Sequence, residues 1–151
     1  MKIRTMLTLL ALFAAALMCL ADDVNIGTWK AKDAKFIPGW GRNASVVIAP
    51  AGDSVKVTSD GFDARGKPLH DEWTGKFDGK DYPVTGDPDG DTRAYKPIND
   101  HTFEMTSKKG GKITGAGRVV YSADGKTRTV TGNITDDKGA KKKITTVYEK
   151  Q

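Results

Sequence analysis

Between Lys112 and Tyr148, apolar or glycine positions alternate with threonines and charged residues, the period-two pattern of half-buried antiparallel strands. Asp124-Gly125 predicts a two-residue turn, because both central positions of such a turn take positive φ. That turn sets Tyr121 against Arg128, Val119 against Val130, Gly117 against Gly132 and Gly115 against Ile134, all on one face. The other face carries Thr114, Ala116, Arg118, Val120 and Ser122 against Thr127, Thr129, Thr131, Asn133 and Thr135. A slip of one residue would exchange the faces, so the pattern specifies the register. Downstream, an odd-numbered loop around Asp137 to Lys141 sets Ile134 opposite Ile144, Gly132 opposite Thr146 and Val130 opposite Tyr148. A two-residue Lys138-Gly139 turn would set Ile134 against Lys143 and is rejected. Upstream, a three-residue loop Lys109-Gly110-Gly111 pairs Met105 with Gly115 and Phe103 with Gly117. Four strands thus agree on one face: odd positions from 113 to 121 and even positions from 128 to 148 turn away from water.

The same reading runs through the rest of the chain. Val24 to Lys30 is a short strand with Trp29 on the face of Gly27 and Asn25. Lys32 to Asn43, with Pro38, Gly39 and Gly41, reads as a loop crossing an open end. Ser45 to Ala49 and Ser54 to Thr58 form a hairpin turned at Ala51-Gly52-Asp53. In Leu69 to Phe77, the residues Leu69, Asp71, Trp73, Gly75 and Phe77 share a face. Tyr82 to Thr85, Thr92 to Ile98 and His101 to Lys108 complete the set. The buried face of Thr92 to Ile98 stays open: an Asn99-Asp100 turn buries Ala94 and Ile98, and an odd loop buries Arg93 and Tyr95. Nine or ten short strands at regular spacing predict an all-β fold, an antiparallel up-and-down meander closing into a barrel. Mid-strand glycines at 27, 75, 115, 117 and 132 suit the strong coiling that closure needs.

The N-terminus adds a compartment. Lys2 and Arg4 precede the apolar run Met6 to Leu20, and Cys19-Leu20-Ala21 offers small residues at the cleavage-critical positions. This is the layout of a signal-peptide helix, residues 1–21, cleaved after Ala21 to release a barrel domain of residues 22–151 into the periplasm or the medium. Cys19 is the only cysteine, so the released domain has no disulfide and no thiol chemistry. No integral membrane span is expected after cleavage. Without Lys2 and Arg4, 22 basic residues face 19 acidic ones, a charge of about +3. The lysines gather at turns rather than in a stripe with stacking aromatics, so no nucleic-acid partner is expected. The domain is expected to be a monomer.

Gly27-Thr28-Trp29-Lys30 at the first strand and Val147-Tyr148-Glu149-Lys150 at the last resemble the two ends of the calycins, the lipocalins and fatty-acid-binding proteins. The resemblance implies that Trp29 plugs one barrel end and that Tyr148 points into the lumen. The match is partial. Where fatty-acid-binding proteins carry Arg-x-Tyr on the last strand, this chain has Thr146-Val147-Tyr148, and Lys32 to Asn43 is too short for their helical lid. The chain is also similar to exported bacterial lipocalin-like proteins without assigned activity.

The inner face gathers Trp29, Trp73, Phe77, Phe103, Met105, Tyr121 and Tyr148, with Arg128 and Asp71 as its charges. Lumens of this strand number fill with side chains or hold one small ligand. The expected ligand site is therefore Trp29, Trp73, Phe103, Met105, Tyr121, Arg128 and Tyr148, holding a small apolar or amphipathic molecule. Arg128 is placed near an open end to meet an anionic group. The rival is a solid-cored barrel that binds a protein or envelope partner, with Trp40 as its exposed anchor.

Asp87, Asp89 and Asp91 have the spacing of a calcium loop, but Gly90 comes one place early and Ile98 stands where the closing glutamate belongs. His70 and His101 have no partner at ligand spacing, and no Gly-x-Ser-x-Gly turn is present. No catalytic residue, metal site or cofactor is expected.

Overall fold

The computed structural model describes residues 24–33, 35, 38, 41–135 and 141–151. The expected signal peptide, Trp40 and residues 136–140 at the tip of the last hairpin lie outside the described residues. Ten strands are formed: β1 (Gly27–Ala31), β2 (Arg42–Ala51), β3 (Ser54–Phe62), β4 (Pro68–Gly75), β5 (Tyr82–Thr85), β6 (Thr92–Asn99), β7 (Thr102–Lys109), β8 (Lys112–Tyr121), β9 (Thr127–Thr135) and β10 (Lys141–Lys150). Each pairs antiparallel with its chain neighbours, and β1 pairs with both β2 and β10, so the meander closes into a barrel without free edges. Among the described residues no helix is long and apolar enough to cross a membrane.

The alternation holds from Gly115 to Tyr121 and at the described inner positions of β9 and β10, whereas Ile113 is exposed and the side chains of residues 134–142, Ile134 among them, lie outside what the structure describes. Gly115, Gly117, Val119 and Tyr121 face in from β8, and Arg128, Val130, Gly132, Ile144, Thr146 and Tyr148 from β9 and β10. Tyr121↔Arg128, Val119↔Val130 and Gly117↔Gly132 pair as expected, but the β8–β9 ladder stops there and Gly115 does not reach Ile134. Three local expectations are corrected, and one open choice is decided.

The β8–β9 turn holds positive φ only at Gly125, and no described non-glycine residue takes one. Gly125 N–H donates to Ser122 O at 2.9 Å, and Asp124 Oδ1 accepts the Lys126 N–H at 3.0 Å. A four-residue loop preserves the same even register. The two-glycine turn is instead Gly110-Gly111, both at positive φ and closed by Lys109↔Lys112. Thr114 then bulges, so Met105 meets Gly117, Phe103 meets Val119, and Ile113 is 67% exposed. In β10 the register is two residues from the expected one, with Ile144 opposite Gly132, Thr146 opposite Val130 and Tyr148 opposite Arg128. A shift of two keeps every face. In β6 the choice falls to Arg93 and Tyr95: a bulge at Ile98 separates Pro97↔Phe103 from Asn99↔Thr102 and leaves Ile98 48% exposed.

A meander puts alternate turns at the same end, so the barrel has two unlike ends. At the end of the β2–β3, β6–β7 and β8–β9 turns, Trp29 meets Tyr121 at 5.2 Å between ring centroids. Tyr121 meets Phe103 at 6.0 Å, Phe103 meets Phe77 at 5.2 Å, and Phe77 meets Trp73 at 5.8 Å. Trp29 and Trp73 are fully buried. Each finds a partner for its indole N–H, Trp29 at Asn25 O (3.0 Å) and Trp73 at Arg93 O (2.8 Å). This end is a packed aromatic core. Edge and offset contacts add to the burial of large rings.

Candidate functional site

The opposite end is polar. Asp71 from β4 and Arg93 from β6 both point inward because each sits on the inner parity of its strand, with Trp73 and Tyr95 two residues further along. Arg93 donates Nη1 to Asp71 Oδ1 at 3.0 Å and Nη2 to Asp87 Oδ2 at 3.1 Å, and its Nε reaches Ser107 Oγ at 3.4 Å. The Asp71 side chain is 1% exposed. Burial pushes the Asp71 carboxyl above the ordinary range, and the charge and hydrogen bond of Arg93 hold it back part of the way. Burial alone would lower the Arg93 pKa, but its neighbours, the two carboxylates included, leave it above the ordinary arginine value. Arg93 is therefore a charged crosslink between β4, β6 and the β5–β6 loop.

A second arginine repeats the arrangement at the rim. Arg65 donates Nε to Asp63 Oδ2 at 3.1 Å and crosses to Asp89 at 3.2 and 3.4 Å. Asp63 also accepts the backbone N–H groups of Arg65 (2.8 Å) and Lys67 (2.9 Å). Those N–H groups, Lys67 first, and then Arg65 hold its carboxyl below the ordinary range. Asp91 Oδ2 accepts Gly110 N–H at 2.8 Å. The three aspartates of the calcium-like spacing thus turn to three different partners, Arg93, Arg65 and Gly110. Among the described residues no group of three or more His, Cys, Asp and Glu is placed to hold a metal ion.

These groups border a cavity of about 560 Å³ that opens at the polar end. Asp63, Asp71 and Asp87 line it with Arg65 and Arg93, and Met105, Leu69, Ser107 and Gly115 form its less charged wall. Four aspartates, counting Asp89, face two arginines there. Gly115 leaves room, because among the described residues a Cβ there would touch only Ser107 Cβ, at 3.8 Å.

Of the seven residues expected to hold a ligand, only Met105 lines this cavity. Trp29, Trp73, Phe103, Tyr121 and Tyr148 are buried in the packed interior. Arg128 is not at an open end: it is 5% exposed, its guanidinium carbon lies 4.9 Å from the Tyr148 ring centroid, and its Nε and Nη1 find no hydrogen-bond acceptor among the described residues. Burial pushes the phenols of Tyr121 and Tyr148 up, with Arg128 acting against it. Arg93, Asp63, Arg65 and Ser107 were missing from the expected site. Arg93 was one of two alternatives for β6, and the others gave no signal, because Arg65 and Asp89 are 24 residues apart in the chain.

No family model matches the chain, and no match is found among curated proteins. Among solved structures it is similar to a redesigned β-barrel, at 16% sequence identity and a TM-score of 0.44, over 89% of this chain and 97% of that one.

Proposed function

We propose that this chain is an exported, non-enzymatic binding barrel that holds a small amphipathic molecule in the polar half of its lumen. The carrying observation is the cavity of about 560 Å³, walled by Met105 and Gly115 on one side and by the Arg93 and Arg65 ion pairs on the other. Ligand sites are concave, partly apolar and furnished with a few fixed polar groups, and here Asp71, Asp87, Asp89, Arg65, Arg93 and Ser107 each have a partner from another strand or loop, while Asp63 is held within its own loop. The aromatic half serves as the rigid floor. The calycin resemblance of the two chain ends agrees with this reading, and the residues that bind differ from those the resemblance suggests.

Native mass spectrometry of the protein purified from its own host tests the reading. The expected result is a non-covalent adduct of a few hundred daltons, lost on substitution of Met105 by Trp, which fills the cavity. Recovery of the bare chain alone contradicts it. A second reading, a barrel that binds a macromolecule through its outside, draws on the solid aromatic half; it predicts no adduct and capture of an envelope protein by the intact chain.

A further inference from the structure

We propose that the packed half of the barrel encloses a site for one small monovalent anion, held by the Arg128 guanidinium beside the phenols of Tyr121 and Tyr148. None of the three lines the cavity at the polar end, so the site is separate from it. Arg128 is buried and points inward from β9, with Tyr121 and Tyr148 opposite it on the two neighbouring strands. Its Nε and Nη1 are spent on nothing among the described residues.

Arginine stays protonated in proteins, so Arg128 carries a full charge into the core. At the polar end such charges are compensated: Arg93 meets Asp71 and Asp87, and Arg65 meets Asp63 and Asp89. Around Arg128 stand phenols instead. Burial pushes Tyr121 and Tyr148 up from an already high pKa, with Arg128 acting against it, so both are uncharged at neutral pH. Tyr148 lends a ring face at 4.9 Å, and no counter-charge. Arg42 adds to the excess. It is buried too, its Nε has no acceptor among the described residues, and its Nη2 donates to a carbonyl, that of Asp33. Its charge also acts on the Tyr148 phenol.

A charge left bare inside a protein is costly. A buried water would accept from the guanidinium but bring no charge. An anion supplies both, and the tyrosine hydroxyls are free to turn their hydrogens toward it. The surroundings set its size. The Tyr121 ring lies 5.2 Å from Trp29 and 6.0 Å from Phe103, centroid to centroid, so the site is walled by rings and takes an ion of one or a few atoms, such as chloride or bromide.

Melting curves with bromide replacing gluconate at one ionic strength read this binding through stability. Raising bromide from about 1 to about 300 mM should lift the wild-type melting temperature by about 5 °C, and that of Arg128→Met by less than about 1 °C. At the low concentration the variant should melt no lower than the wild type, because methionine removes the bare charge and keeps an unbranched side chain. A purely structural role for Arg128 would instead lower the melting temperature equally at every concentration. A wild type that does not respond, or a variant that responds as much, overturns the proposal. Wild-type crystals grown in bromide decide it even where the variant fails to fold. The expected result is an anomalous peak within hydrogen-bond reach of the Arg128 guanidinium. A water in that place, a carboxylate of the chain itself, or bromide on the surface alone overturns it.

Discussion

Replacing Arg93 by Met isolates the energetics of the polar end. The substitution keeps an unbranched side chain of similar reach and removes the cation that pairs with Asp71 at 3.0 Å and Asp87 at 3.1 Å. Asp87 sits in a loop and can turn to water. Asp71, at 1% side-chain exposure, cannot. Breaking a buried pair from one side costs about 3–5 kcal/mol, a large share of the roughly 5–15 kcal/mol that holds a domain of this size together. The cost must also depend on pH. The folded-state pKa of Asp71 is already above its unfolded value, and losing Arg93 raises it further. The folded variant then binds a proton more tightly than the unfolded chain, so its penalty is smallest near pH 4 and grows as pH rises through the shifted pKa. Urea titration followed by tryptophan fluorescence, at pH 5 and pH 8, measures both effects. Adding Asp71→Leu should restore most of the loss, because an apolar pair in place of a buried ion pair is close to neutral. A penalty under about 1 kcal/mol, or a double variant less stable than the single one, would refute the reasoning.

Other substitutions probe other parts. Gly117→Ala places a Cβ 2.7 Å from Thr131 O and should lower stability by about 1–3 kcal/mol, whereas Gly115→Ala, with only Ser107 Cβ near, should stay within about 0.5 kcal/mol; melting curves of the pair decide it. Trp29→Ala empties a fully buried site and should cost about 3–5 kcal/mol, with loss of the near-ultraviolet circular dichroism of the Trp29–Tyr121 contact. Gly110→Asn should raise stability by a few tenths of a kcal/mol in denaturant titration, since Asn accepts positive φ in this turn and a Cβ there meets nothing within 4 Å. Asp63→Asn should flatten the acid limb of the stability profile: a lowered folded-state pKa means that wild-type stability is full above the unfolded value, near pH 4, and falls as the pH drops below it.

Parity made the interior legible from the chain. Tyr121, Arg128 and Tyr148 fall on one face whatever the detailed loop, because loops that differ by two residues leave the same side chains inside. For that reason the β8–β9 turn and the β9–β10 register could each depart from expectation without moving a face. Single-residue bulges are the harder problem. Ile98 and Thr114 each flip the residues beyond them, and a tight turn followed by a bulge has the same parity as a longer loop, so Arg93 and Ala94 could not be separated by pattern. The candidate site was the least legible part. Each of its arginines has one carboxylate partner close in the chain and one 22 or 24 residues away, and the distant partner is reached only through the folding of the β4–β6 meander. Aromatic residues marked the inner face correctly and pointed to the filled end rather than the open one.

The central claim is that one half of the interior is solid and the other open to water, and Met105 reports on it directly. It is the only methionine after position 18, so in a chain that starts at residue 22 its methyl group is the one methionine signal of a 13C-methyl spectrum. With a water-soluble paramagnetic agent added, the account predicts strong broadening of the Met105 methyl while the methyls of Val57 and Val119, inside the packed core, stay sharp. A Met105 signal as protected as theirs would mean a barrel filled from end to end and would contradict the account.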